Sequence, residues 1–326
     1  MSGIFYLDTS GLNFFADNVK DFDGFSLLKK HLGFELYLSP ITLWEVLLNS
    51  NESRRDYLVY WAQFNCAPEL LKSPSEIIIQ YILAGCPSKD RNTFFDDPHT
   101  KLEMGKTWTS IHKNIEYNLP IDFEELKERT KPMRELSKKL KSIITSMCDE
   151  ESENYRQDPF HISMHETLTK LEIDKAPDKE TERIYKIALI FLFFTICIGF
   201  ELQTDVVRDY WENKELDDPF ERLDYLLENH PKLMVRGPIL EMAIMANVQI
   251  SMENSKSRGM SHDCFHSIYC YYSHNFITGD AHFASLKGKY DHHSFESIIM
   301  TDQIIELWKL ANEKLTSHLK GQKTVS

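Results

Sequence analysis

Short apolar runs of strand character occur only near the two ends of this 326-residue chain, and the residues between them read as helices and loops. Ile4-Phe5-Tyr6-Leu7 is an uninterrupted apolar run that stops at Asp8, the pattern of a strand buried on both faces in a parallel sheet. Asp8-Thr9-Ser10 then offers helix-cap chemistry ahead of Leu12, Phe14 and Phe15. A helix over 24–32, a second strand over 35–39 and a helix from Pro40 to Leu48 complete an α/β unit. Ser39 caps that last helix, and Pro40 sits at its first position. The other end resumes the pattern with a helix over 261–272 and a strand, Asn275-Phe276-Ile277-Thr278, ending in Gly279-Asp280. A short helix over 281–286, a strand over 297–300 and an amphipathic helix over 303–319 follow. The predicted class is α/β: one domain formed by 1–52 and 257–326, interrupted by a mostly α-helical insertion over 53–256.

Composition supports a helix-rich globular chain. Only 12 Gly and 12 Pro break it, and 42% hydrophobic with 27% charged residues exclude global disorder and collagen-like repetition. The formal charge of −13 gives no global attraction to phosphate, so any capture of nucleic acid must be local. Six cysteines (66, 86, 148, 197, 264 and 270) are scattered with no C-x-x-C pair, and the N-terminus lacks the pattern of a secretory leader. Reduced thiols in a cytoplasmic protein are expected. The most apolar stretch, Ile187 to Phe200, would make a helix about 21 Å long, short of a hydrocarbon core of roughly 30 Å. It is predicted to be a buried core helix, with no membrane as partner. A Met stripe at 242, 245 and 252, beside Leu240, Ala243 and Ala246, is likewise assigned to the core.

In an open parallel sheet, side chains just past the carboxyl ends of the strands converge on the ligand crevice. Asp8 and Asp280 hold such positions, and Glu45 and Asp263 lie in flanking helices. Four carboxylates in one crevice raise each other's pKa unless cations neutralise them. Hard oxygen donors of this kind suit Mg²⁺ or Mn²⁺, which can activate water and clamp a phosphodiester.

Three segments carry a resemblance: FYLDTSGL at 5–12, LYLSPITLWEVL at 36–47, and SHDCFHSIYCYYSHNFITGDAHF at 261–283. Together they resemble the PIN domain, a metal-dependent nuclease fold related to flap endonucleases, over about 120 residues at the two ends. The resemblance implies a PIN-like three-layer domain with a small central parallel sheet. It implies that Asp8, Glu45, Asp263 and Asp280 are catalytic and metal-binding, with Asp8 and Asp263 foremost as ligands. Thr9, Ser10 and Thr278 would support them. The expected activity is Mg²⁺- or Mn²⁺-dependent hydrolysis of phosphodiester bonds, foremost as an endoribonuclease acting on RNA. The alternative is a catalytically inactive PIN-like module whose helical region binds a protein or nucleic acid. A protein regulator and a homodimer are further partners left open, as is a flap-type DNA nuclease.

Other signals compete. His262 and His266 share a helix face at a spacing suited to zinc, and His262-Asp263 resembles the HD phosphohydrolase signature; packing or support of the acids is the preferred role. Asp291-His292-His293 superficially matches DHH phosphoesterases and reads better as a solvated loop. Lys127, Arg129, Lys131, Arg134, Lys138, Lys139 and Lys141 form a basic stretch that could track a phosphate backbone. A solvated helix face explains it as well.

Overall fold

The computed structural model describes residues 3–87, 99–113, 128, 140, 142–147, 159–171, 176–199, 204–212, 214–234, 237–252, 260–272, 275–289 and 293–306. The first part of the chain runs β1 (Gly3–Leu7), α1 (Thr9–Asn18), α2 (Phe22–Leu32), β2 (Phe34–Tyr37), α3 (Pro40–Leu47), α4 (Glu52–Asn65), α5 (Pro74–Leu83) and α6 (Glu103–Lys113). Then come α7 (Pro159–Lys170), α8 (Lys179–Leu192), α9 (Thr204–Trp211), α10 (Pro219–Asn229), α11 (Pro238–Met252), α12 (Met260–Tyr272), β3 (Asn275–Thr278), α13 (Ala281–Lys289) and β4 (Ile298–Met300). The fold is α/β, with a small four-stranded parallel sheet in the order β2-β1-β3-β4 and many helices. The register pairs Phe5 with Leu36 and Leu7 with Ile277, which sets the carboxyl ends of β1 and β3 side by side.

Each strand divides its side chains between two hydrophobic cores, as a pleat with a period of two residues requires. On one face Ile4, Tyr6, Phe276 and Ile298 pack with α5, α8, α11 and α12. On the other, Phe5, Leu7, Leu36 and Ile277 pack with α1, α2, α4 and α6. Helices from 53–256 therefore take part in both cores. The same segment also flanks the outer strand: Cys66 bridges Leu36 in parallel, Ala67 N–H donates to Leu36 O at 2.7 Å, and Leu71 N–H donates to Leu38 O at 2.9 Å. An exposed strand edge is thereby paired with the chain's own backbone.

The stretch 187–199 differs from a plain helix. α8 ends at Leu192, and Phe193–Ile198 continues as a π-helix closed by Gly199 at φ 82°, a left-handed conformation that glycine adopts without strain. Ile187 through Cys197 are all buried, as the core assignment expects. Pro231–Met252 has the length and apolarity to cross a membrane, but 88% of its most apolar window is buried inside the protein. Within α11 the core contacts run around the whole helix, so the stripe is too narrow a description. Met242, Ala243, Met245 and Ala246 are buried, but Met252 is 49% exposed at the helix end and is no core residue.

Local capping aims the strand ends. Asp8 caps α1 by accepting from Gly11 N–H at 2.6 Å, and Ser39 caps α3 by accepting from Thr42 N–H at 3.1 Å. Gly11 is fixed by close approach: a Cβ there would lie 2.6 Å from Ile277 O and 3.2 Å from Asp8 Oδ1. The first atom is backbone and the second is pinned by its hydrogen bonds to Ser10 and Gly11, so Gly11→Ala should destabilise the fold by about 1–3 kcal/mol. Urea unfolding measures this; an unshifted midpoint would show that α1 can slide off β3 freely.

The basic stretch (Lys127, Arg129, Lys131, Arg134, Lys138, Lys139 and Lys141) lies outside the described residues, as do Asp291-His292 and the closing helix beyond 306.

Candidate metal centre

Asp8 sits at the carboxyl end of β1 and is almost fully buried. Its Oδ1 accepts from Gly11 N–H and from Ser10 Oγ at 2.8 Å, and its Oδ2 accepts from Thr278 Oγ1 at 2.6 Å. Thr278 ends the adjacent strand, and its hydroxyl also accepts from Asp280 N–H at 3.0 Å. Ser10 Oγ accepts from Gly279 N–H at 2.7 Å. Two hydroxyls thus couple the turn after β1 to the turn after β3 and fix Asp280 just ahead of α13. Burial lifts the Asp8 carboxyl, while the His266 charge and these hydrogen bonds pull the other way; the net direction is up.

Glu45, on α3, is held by three donors. His266 Nε2 lies 3.0 Å from its Oε2, His262 Nδ1 lies 3.2 Å from its Oε1, and Thr9 Oγ1 donates to Oε2. His266 is itself buried, and its Nδ1 is bonded to the Tyr6 hydroxyl. That hydroxyl lies 3.0 Å from both Ser39 Oγ and Thr42 Oγ1, and Thr42 Oγ1 donates to Leu7 O at 3.0 Å. The chain of bonds closes when His266 is doubly protonated: imidazolium to Glu45 on one side, and to Tyr6 on the other. Burial alone would lift the Glu45 carboxyl. The His266 charge and hydrogen bond, the His262 charge and the Thr9 hydroxyl outweigh it and hold that carboxyl at about 2. For His266 burial opposes the charge, but Glu45, Asp8 and Asp263 together raise it.

Asp263 enters in the first turn of α12. Gln249, fully buried on α11, donates from Nε2 to Asp263 Oδ2 at 2.5 Å, and its Oε1 accepts from Cys264 Sγ at 3.7 Å. Burial, and then the negative charges of Asp280, Glu45 and Asp8, push the Asp263 carboxyl well above the usual range. All four acids therefore bear on one place. His282, one position into α13 beyond Ala281, lies against this pair of aspartates. Its Nδ1 is 3.0 Å from Asp280 Oδ1 and 4.0 Å from Asp263 Oδ2, yet is buried without hydrogen-bond geometry to either. One ligand atom from each of Asp263, Asp280 and His282 lies within 4.8 Å of the other two, the one such group among the described residues.

These residues fit a divalent cation: two carboxylates and an imidazole nitrogen face one another, and burial with the neighbouring acids raises the Asp263 carboxyl, a strain that a cation would relieve. The four expected acids are placed differently with respect to this group. Asp263 and Asp280 lie in the ligand group. The oxygens of Asp8 are engaged in capping and in the bond to Thr278, and Glu45 is engaged by two histidines. Thr9 supports Glu45, Ser10 supports Asp8, and Thr278 supports both Asp8 and the turn at Asp280.

Sequence reasoning missed His282 and Gln249. An imidazole two residues after a strand-end aspartate was a signal for the first; Gln249 lies in a helix that reads as apolar core. No protein-family model, curated protein or solved structure matches the chain.

Proposed function

We propose that this chain is a PIN-like, metal-dependent nuclease, most readily an endoribonuclease. The observation that carries the reading is the placement of four acids from β1, α3, α12 and the turn after β3 at the joined carboxyl ends of adjacent parallel strands, where such sheets bind ligands. Asp263, Asp280 and His282 would hold a divalent ion, Mn²⁺ or Mg²⁺. When bound, it supplies a Lewis acid that offsets phosphate charge and activates water. Asp8 anchors the turn that presents Asp280, through Thr278 and Ser10. Gln249 fixes the rotamer of Asp263. Glu45, with His262 and His266, sets the charge balance at the rim of the group.

The capture of Glu45 by two histidines is the observation that favours a second reading, a PIN-like interaction module without catalysis. Cleavage of single-stranded RNA with Mn²⁺ separates the two. Wild type should cut, and both Asp8→Asn and Asp263→Asn should lose most of that activity. Full cleavage in both variants overturns the assignment of the site, and no cleavage by wild type on any RNA favours the module.

A further inference from the structure

We propose that the centre is built for a divalent first-row transition ion rather than Mg²⁺, because His282 supplies it with a nitrogen donor. The inference rests on the reading of Asp263 and Asp280 as metal ligands.

Mg²⁺ keeps an oxygen shell and dehydrates reluctantly, whereas imidazole suits Fe²⁺, Ni²⁺, Cu²⁺ and Zn²⁺, and Mn²⁺, though it favours oxygen, accepts a nitrogen donor more readily than Mg²⁺ does. The acids that would make an all-oxygen site are not equally open. Asp8 accepts from Gly11 N–H, Ser10 and Thr278. Glu45 accepts from Thr9 and faces His262 and His266. What remains facing a common point is one atom each from Asp263, Asp280 and His282.

His282 behaves as a donor awaiting a cation. A ring held only by a salt bridge would turn its N–H onto Asp280. Instead Nδ1 lies within reach of both carboxylates and makes neither hydrogen bond. Its neighbours are fixed without the help of its ring. The buried Gln249 sets Asp263, and the backbone N–H of His282 donates to Asp280 Oδ1 at 2.7 Å, tying that carboxylate to the first turn of α13. A preformed pair of carboxylates with an imidazole between them selects by donor chemistry, not by charge alone.

The test uses Mn²⁺ alone as probe on the full chain. Calorimetric titration with Mn²⁺ and with Mg²⁺ should show markedly tighter binding of Mn²⁺. Pulsed electron paramagnetic resonance of bound Mn²⁺ should show coupling to an imidazole nitrogen. His282→Asn should abolish that coupling and weaken Mn²⁺ by at least about tenfold, since even the loss of a supporting partner around a ligand costs that much. Mg²⁺ affinity should change little. His262→Asn, which alters the other part-exposed imidazole nearby, should keep the coupling. Equal affinity for the two ions, Mn²⁺ bound without nitrogen coupling, or coupling lost in His262→Asn but kept in His282→Asn would each overturn the proposal. Nitrogen-coupled Mn²⁺ without RNA cleavage would instead refute the nuclease reading alone. Cleavage with Mn²⁺ bound only through oxygen would refute the His282 assignment alone. Failure to bind any divalent ion refutes both.

Discussion

Asp263→Asn is expected to raise the melting temperature of the metal-free protein while lowering metal-dependent RNA cleavage by at least about 100-fold, or about 2.7 kcal/mol of transition-state stabilisation. The two effects have one origin. Burial, with Asp280, Glu45 and Asp8 nearby, raises the Asp263 carboxyl well above its ordinary value of 3.8. A carboxyl raised on folding favours the native state most below that ordinary value, and its favourable contribution is lost as pH rises through the raised value. At neutral pH the folded, ion-free protein therefore carries a penalty. Asparagine keeps nearly the same shape and can still accept from Gln249 Nε2, but has no charge to strand. Its advantage should grow from acid to neutral pH. Adding Mn²⁺ should reverse the order, because an ion at 100 times its Kd adds about 2.7 kcal/mol to a protein able to bind it. Thermal melts from pH 4 to 8, with and without Mn²⁺, check this. An asparagine variant that melts below wild type in the absence of metal, or that gains equally from Mn²⁺, refutes the role given to Asp263.

How much of this was legible in the sequence depends on the range of the interactions involved. Strands β1, β2, β3 and β4 were readable from apolar runs of two to four residues ended by polar ones, because burial on both faces of a parallel sheet demands such runs. Asp8 and Asp280 were readable for the same reason: a strand end fixes where the next side chains point. Glu45 and Asp263 were noticed as acids of flanking helices, but a helical position does not say which face turns to the crevice, and the resemblance strengthened that reading. The partners of these acids were beyond reach. His266 meets Glu45 across a sequence separation of 221 residues, and Tyr6 meets His266 across 260. Local patterning carries no information on such pairs. Gln249 was hidden because its helix is buried all around, so one polar side chain aimed at the site looks like noise in an apolar pattern. The segment 53–256 illustrates the same limit. It is continuous in sequence, yet its helices complete both cores around the sheet.

Breaking the bond between Glu45 and His266 should be the most damaging single change at the site. His266→Ala removes a donor from a mostly buried carboxylate, leaves the Tyr6 hydroxyl without its imidazole partner and opens space in the core. Loss of one member of a buried pair costs about 3–5 kcal/mol, so the melting temperature should fall on the order of 10 °C. Glu45→Ala should cost a similar amount, and the double variant less than the sum of the two by about 1 kcal/mol or more, because the second removal relieves the charge that the first stranded. The pH profile identifies the pair. Glu45, held at about 2, contributes fully above its ordinary value of 4.5, and that contribution is lost as pH falls toward 2. His266, raised on folding, contributes fully below its ordinary value of 6.5, and its contribution is lost as pH rises through the raised value. The stabilisation from this pair therefore peaks between pH 4.5 and 6.5 and declines on both sides. His266→Ala should remove the alkaline part of that decline and leave a shallower slope above pH 6.5 than wild type. If urea midpoints of the two proteins run parallel from pH 6 to 9, His266 is neutral, and the charged pair assigned to Glu45 is wrong even if the variant is unstable.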